Sequence, residues 1–506
     1  MRIIPFAALL TEVLLFYRQV LFQPGKYAIP WDLQSYHLPL AEFMAKSFRQ
    51  GYFPLWDPFT YCGWPVYAEL TTQLFYPPTL IAVLLSNATG GRHLLYFLEL
   101  QLLAHVWLAG ILTYLLLRRL GAGAAPALIG ATIYQLGPFF TSQTQHLGAV
   151  DAAAWLPFSW LAIVALAERF DWRWVSALAL SLAMSILSGF PAVTAVALVS
   201  CFLLAGALWN VRAVLGLAVA AAWSVALAGI QVLPTAQLSS LSVAKYRGDW
   251  LRDGGGHPLE SLITLIAPNY WGIFQYDGSQ RLPSNPTFLY LYFGLAGLAF
   301  ALVAIAGKKS RYIFPFAALT AACLLWMLGE HTPLGLAIFH ALPAAVKLPL
   351  YAEYSLAAFA LGMAVIAGLG AQRFLPARPL AIQIALVAVC AIELIAVGSG
   401  RPMNTAKIDR GTGIAYDRFD GYQEIPGAVR ALVNQTFPPA RIDTMNGNLN
   451  WTLGALFEVP TAGGNDPLAV ERLIQARLLF CRGERWGRYY EIAQLDPPAI
   501  IESRII

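Results

Sequence analysis

Long apolar runs alternate with short polar segments along this chain, and most of the runs approach twenty residues. That is about the length a helix needs to cross the roughly 30 Å hydrocarbon core of a bilayer. Such runs fall at about 3–22, 93–117, 123–140, 152–168, 174–189, 190–208, 213–234, 287–306, 312–328, 352–371 and 379–398. Backbone groups inside lipid have no water to bond, so the runs are predicted to be helices. The ten-residue alternation of a membrane barrel is not seen. The pattern predicts an all-α polytopic transmembrane bundle of about eleven spans over 1–400, and a small α+β segment over 401–506.

Two apolar stretches, Leu74–Ser86 and Pro333–Val346, have about 13 residues each and are too short to cross, so they are expected to be re-entrant or interfacial helices. The first outer loop, about 23–73, is dense in aromatics. Within it, residues 34–50 place Tyr36, Leu40, Phe43, Met44 and Ala45 near one face, with His37, Glu42, Lys46 and Arg49 largely elsewhere. That is the pattern of an amphipathic helix in the membrane interface, stopped by Gly51. Beyond 400 the chain turns polar, with a strand-like RIDTM, turn signals NGN and GGND, and a helical PLAVERLIQARLLF. It stops at ESRII without a cap, which predicts an incomplete final domain.

Composition supports the pattern: 58% of the 506 residues are hydrophobic and 12% charged, against about a quarter charged in soluble domains. The net charge of +5 matters less than its placement. Arg118 and Arg119, Arg169 and Arg173, Arg212, the run Lys308 to Arg311, and Arg373 with Arg378 all fall on one side. The positive-inside rule makes that side cytoplasmic, so the N-terminus is expected inside and the C-terminus outside. The first run lacks a small-residue cleavage site and is interrupted by Glu12, so it is read as a retained span. The five cysteines are scattered and form no disulfide framework. No P-loop, GxGxxG, HExxH, GxSxG or cysteine–histidine metal spacing occurs, which excludes an ATP-driven pump, a Rossmann cofactor and a zinc protease. No long basic helix for nucleic acid is present.

Ionisable residues in membrane segments are costly and usually functional or paired. Arg18, Glu99 and Glu393 lie toward outer ends of spans, and His331, Lys347 and Glu353 surround the second short stretch. Together with His37 in the first loop they outline a polar cavity open to the outside at headgroup level; the plainer reading is snorkelling and local pairing. Asp32, in IPWDLQSYH, sits where the first span ends. A carboxylate there can take a proton from an acceptor hydroxyl or ligate a divalent cation such as Mg or Mn that holds a phosphate. It is equally suited to N-capping the interfacial helix. Asp57 and Glu69 lie among Trp56, Tyr61, Trp64 and Tyr67, aromatics that suit sugar stacking but also an ordinary interfacial belt. Lys245, Arg247, Arg252 and His257 break the charge rule by lying outside, as a phosphate-binding cluster would, with glycines 254–256 giving mobility. A solvated loop is the alternative. Lys347, at headgroup depth, is placed to meet a lipid phosphate.

The order of several segments resembles the bacterial YfhO-like membrane proteins, within the GT-C-fold glycosyltransferases. These are Asp32 after the first span, GYFPLWDPFTYCGWPVYAELTTQLFYPP at 51–78, LSGFP at 187–191, SLITLIAPNYWG at 261–272, LYLYFGLAGLAFALVA at 289–304, the block at 328–370, and FEVPTAGGNDPLAVERL at 457–473. The resemblance covers most of the chain. It implies transfer of a sugar from a polyprenyl-phosphate donor to a cell-envelope glycan, lipid or protein outside the cytoplasm, at a bacterial plasma membrane. It places the catalytic acid at Asp32, with Asp57 second, and a basic position at Lys347; with the outer basic cluster, the candidates for donor-phosphate binding are Lys347, Arg247, Lys245 and His331. Where the family carries an arginine-rich RxPxR-like stretch, this chain reads VKLPLYAEYS, with Lys347 at one basic position and Glu353 near another. A non-catalytic scaffold that binds lipid-linked glycan and a lipid or glycan transporter are the competing functions; no internal repeat favours the transporter.

Overall fold

The computed structural model describes residues 3–91, 93–244, 255–272, 286–307, 311–343, 351–407, 453–461, 464 and 468–473. The chain divides into two compact units. One comprises Met1–Gln23, Leu102–Ala228 and Trp250–Ala406; the other comprises Pro24–Gln101, Gly229–Asp249 and Lys407–Ile506.

The described chain is almost entirely helical. In order come α1 (Ile4–Phe16), α2 (Arg18–Phe22), α3 (Leu38–Arg49), α4 (Pro77–Ala88), α5 (Leu94–Arg119), α6 (Ala124–Gln135), α7 (Pro138–Ser142), α8 (Leu147–Glu168) and α9 (Trp172–Leu187). Then follow α10 (Pro191–Ala207), α11 (Val211–Leu227), α12 (Gly229–Leu241), α13 (Leu295–Ala306), α14 (Ile313–Leu328), α15 (Pro333–Ala341), α16 (Leu356–Phe374), α17 (Leu380–Gly398) and α18 (Leu453–Phe457). Each predicted span coincides with a helix or a broken pair, except 287–306, where the α-helix covers only the later part. Among the described residues, five helical stretches are long and apolar enough to cross a membrane: Leu94–Arg119, Leu147–Glu168, Ile313–His331, Glu353–Ala377 and Leu380–Gly398. On α17, Leu380, Ile384 and Ile392 are 60–70% exposed. An apolar face so open to its surroundings is stable in lipid and costly in water. The protein is a multi-pass membrane protein.

In the larger, membrane-embedded unit, α16 is the central helix, packed against α13, α6 and α14. Small residues permit the approach, as is usual where helices cannot rely on the hydrophobic effect to associate. A Cβ on Gly370 would stand 1.8 Å from the Phe300 carbonyl oxygen, so any larger residue would push α13 away.

Four predicted spans are interrupted. The run at 3–22 breaks at Tyr17, where the exposed Arg18 donates to the Leu15 carbonyl at 3.1 Å. The run at 123–140 breaks at Gly137–Pro138; proline cannot continue the α-helical ladder, and a Cβ on Gly137 would meet the Ile133 carbonyl at 2.1 Å. The run at 287–306 becomes helical only at Leu295. Its first part, Leu289–Phe293, is buried and has no regular secondary structure. Such backbone survives only where protein supplies the missing bonds. Thr264 accepts from Leu291 N–H at 3.1 Å, and Glu393 accepts from Leu295 N–H at 2.6 Å. The run at 213–234 is likewise two helices, α11 and α12, broken at Ala228.

The smaller unit folds the first outer loop around α3, α4 and α12. Its core contains Phe43, Tyr61, Trp64, Val66, Leu238 and Val243, joined by Ala455, Leu468 and Ala469 from the tail. Backbone bonds tie the tail to the loop: Cys62 N–H to the Thr461 carbonyl at 3.0 Å, Thr461 N–H to the Phe59 carbonyl at 2.6 Å, and Val243 N–H to the Ala469 carbonyl at 3.0 Å. Helix α3 ends at Gly51, whose φ of +83° suits a residue without a side chain. It is more enclosed than its amphipathic pattern implied: Leu38–Ala45 are buried, including Glu42. Burial raises the Glu42 carboxyl, and Arg49 opposes this with a 3.0 Å salt bridge.

Candidate functional site

Asp32 starts a π-helical turn, Leu33–His37, that runs directly into α3. Its side chain makes no capping bond to that turn, so the capping role is not what holds it. The turn is fixed from elsewhere. Glu99, fully buried on α5, accepts from Ile29 N–H at 2.8 Å, and Gln34 Nε2 donates to the Ile29 carbonyl at 2.9 Å. Both polar groups of Ile29 are therefore held just before Trp31, whose φ of +58° swings the chain into the turn. Asp32 is left half-buried beside an exposed tryptophan. Tyr36 and His37 lie one π-turn further on, their rings edge to face at 5.3 Å. Tyr36 Oη and Thr71 Oγ1 are 2.5 Å apart, and Thr71 donates to Glu69 through both N–H, at 3.0 Å, and Oγ1, at 2.9 Å. The second oxygen of Glu69 is buried without a hydrogen-bond partner. The smaller unit thus gathers Asp32, His37 and Glu99 around one turn and joins Glu69 to it through Thr71 and Tyr36.

Asp57 is placed differently. It is 1% exposed, its Oδ1 accepts from Phe59 N–H at 2.8 Å, and its backbone pairs with Trp64. Burial raises its carboxyl above the usual range, opposed by bonds from Thr60 and Phe59. It staples its own loop.

In the other unit, His331 and Glu353 meet His257, a residue that the sequence placed in a candidate phosphate-binding cluster with a solvated loop as the alternative. His257 is completely buried; its N–H donates to the Met327 carbonyl at 2.8 Å, and neither ring nitrogen completes a hydrogen bond. Burial lowers its pKa to about 4; nearby backbone at Glu353 opposes the shift and His331 adds to it. The Glu353 carboxylate meets backbone N–H of Gly256. Gly255 and Gly256, expected to give mobility, instead allow contact: a Cβ on Gly256 would lie 2.6 Å from the Met327 carbonyl. Around His257 stand Phe288 and Tyr354 (5.1 Å apart), then Phe190 and His146. This aromatic cluster was missed, although Phe190 lies in LSGFP and Tyr354 in AEYS; no single-residue signal separates a lining aromatic from a belt aromatic. Glu393 stands apart from these groups and serves structure, accepting from Tyr292 Oη at 2.5 Å and from the first N–H of α13. Glu12 is similarly engaged inside the bundle, by Thr132 at 2.9 Å and Gln135 at 2.5 Å. Lys245, Arg247 and Lys347 lie outside the described residues.

Among the described residues no three histidine, cysteine, aspartate or glutamate side chains come together as a metal-ligand set.

No protein family model matches the chain, and no curated protein does. Solved structures do. The apo oligosaccharyltransferase of Archaeoglobus fulgidus aligns over 90% of this chain and 64% of its own, at 14% identity and a TM-score of 0.50. AglB of the same organism, solved with an inhibitory peptide and a dolichol-phosphate, aligns over 91% and 64% at 13% identity and 0.49. ArnT of Cupriavidus metallidurans, solved with undecaprenyl phosphate, aligns over 95% and 91% at 14% identity and 0.40. The chain spans less than two thirds of the length of the two archaeal proteins. The chain shares the all-α polytopic fold of that oligosaccharyltransferase.

Proposed function

We propose that the chain is a YfhO-like membrane glycosyltransferase that moves a sugar from a polyprenyl-phosphate donor to a cell-envelope acceptor outside the cytoplasm. The observation that carries this reading is the approach to Asp32: Glu99 and Gln34 hold the N–H and carbonyl of Ile29 just before it, and the Asp32 carboxylate does not cap the turn that it starts. Preorganised carboxylates of this kind serve as general bases. In the proposed step Asp32 takes the proton of the acceptor hydroxyl as that oxygen attacks the anomeric carbon. The bond from that carbon to the phosphate oxygen breaks, the polyprenyl phosphate leaves with its electrons, and configuration inverts. The leaving phosphate needs cationic stabilisation rather than a strong acid; Lys347 and Arg247 are assigned that role by sequence. The membrane is the bacterial plasma membrane, with the N-terminus inside and the C-terminus outside.

The test is transfer of radiolabelled sugar from a panel of polyprenyl-phosphate donors by purified protein in proteoliposomes. Transfer by wild type and its loss in a folded Asp32→Asn variant is the expected result. Absence of transfer by wild type across donors and added divalent cations overturns the enzyme reading in favour of a glycan-binding scaffold, for which the VKLPLYAEYS departure already argues.

A further inference from the structure

Immediately after α17 the chain buries a cation that has no counter-ion among the described residues. Arg401 is 2% exposed, and no carboxylate pairs with it among the described residues. Its guanidinium donates through Nη1 to Asn269 Oδ1 at 2.8 Å and lies 4.1 Å from the centroid of the Tyr290 ring. Its Nε is buried without a partner, and so are Tyr290 Oη, Trp271 Nε1 and Thr405 Oγ1. Trp271 follows two positions after Asn269 in the NYW stretch, and Thr405 N–H donates to the Arg401 carbonyl at 3.4 Å. All four unmet atoms can donate a hydrogen bond.

The turn that carries Arg401 is rigidly built. Asn404 donates to the Gly398 carbonyl at 2.8 Å, and Thr144 contacts Asn404 Oδ1 and the Met403 carbonyl, each at 2.7 Å. The guanidinium is therefore held in place by its surroundings rather than parked there by a flexible side chain. Taking a charge out of water costs several kcal/mol unless it is paired. Burial does lower the Arg401 pKa, to about 10, which leaves the group charged near neutral pH. Water can satisfy the neutral donors but cannot neutralise the cation. A tetrahedral oxyanion can do both, since guanidinium N–H groups match its oxygens.

We infer that Arg401, with Tyr290, Trp271 and Thr405, forms a buried binding site for a phosphate-type oxyanion, either a free phosphate or the phosphate of a lipid headgroup. The site does not depend on any sugar being transferred. The full chain, purified in non-ionic detergent and phosphate-free buffer, should show a saturable change in tryptophan fluorescence and in unfolding temperature when the right anion is added. One arm adds inorganic phosphate, the other phosphatidylglycerol. A response to inorganic phosphate identifies a free anion, and a response to the lipid alone identifies a headgroup site. Arg401→Gln is expected to weaken binding about tenfold or more, as loss of a charge-assisted bond does. Should that variant not fold, Arg401→Lys decides, because it keeps the charge and loses the fork: weakened binding supports the site, and unchanged affinity overturns it. No saturable response by wild type in either arm, or an equal response in Arg401→Gln, also overturns it. Because no sugar donor or acceptor enters the measurement, its failure is separate from any failure of sugar transfer.

Discussion

The two aspartates of the first outer loop have opposite surroundings. Asp57 spends its carboxylate on its own loop, accepting from Phe59 N–H while its backbone pairs with Trp64. Asp32 opens a turn held by other residues, Glu99 and Gln34, and does not cap it. The comparison separates a carboxylate that makes the backbone's shape from one that is positioned by it. An amide at either position keeps an acceptor for the backbone, so the two differ in what the lost charge does: only at Asp32 is it expected to remove chemistry. Glu99 and Glu393 show the same division of labour from the other side: both are acids in spans, and both are occupied by backbone N–H groups.

The sharpest test of the contrast is Asp32→Asn, expected to lower sugar transfer by about a hundredfold or more with an unchanged unfolding temperature. Equal transfer by the two proteins would remove Asp32 from the chemistry. Next in size is Glu99→Ala. It strands the Ile29 N–H, an unmet buried donor costing about 1–3 kcal/mol, and the loosened turn should lose about tenfold in transfer. Glu99→Gln keeps an acceptor and should lose less; the reverse order of the two variants would show that the Glu99 charge, not its bond, matters.

Histidine burial in the other unit sets a pH dependence of stability. The pKa of His257 falls from 6.5 to about 4 on folding. The unfolded chain therefore binds more protons in that window, so stability is lost as pH falls through it. His257→Phe should flatten this loss in thermal melts between those pH values, and an unchanged slope would mean the ring is not buried neutral.

Asp57→Asn should have the smallest effect. The amide oxygen can still accept from Phe59, so transfer should be retained and stability should change by no more than about 1 kcal/mol. The raised carboxyl binds its proton more tightly in the folded state, which makes stability fall as pH rises from the usual carboxylate range through the folded value. The amide variant should lack that fall. A large loss of transfer in a folded Asp57→Asn protein would transfer the catalytic assignment from Asp32 to Asp57.

Helix positions were legible in the sequence because lipid enforces a single rule: apolar length with internally bonded backbone. Every run but 287–306 became a helix or a broken pair. The helical stop at Gly51 and the short helices α4 and α15 also follow from local residues. What remained illegible was where the rule is relaxed. Nothing in LYLYF distinguishes a buried non-helical strip from the start of a helix; Thr264, distant in sequence, accepts the Leu291 N–H within it, and Glu393 accepts the Leu295 N–H where the helix begins. In the same way Asp32 and Asp57 are equivalent as letters, and Arg401 reads as a flanking arginine of the last span. The sequence by itself determined a bundle of membrane helices with polar residues biased to one side, since hydrophobic length and charge placement are local properties. The tertiary structure alone decided which carboxylates are consumed by backbone bonds, which histidine is kept neutral and which arginine is buried without an anion. Burial and hydrogen-bond partners depend on segments far apart in the chain.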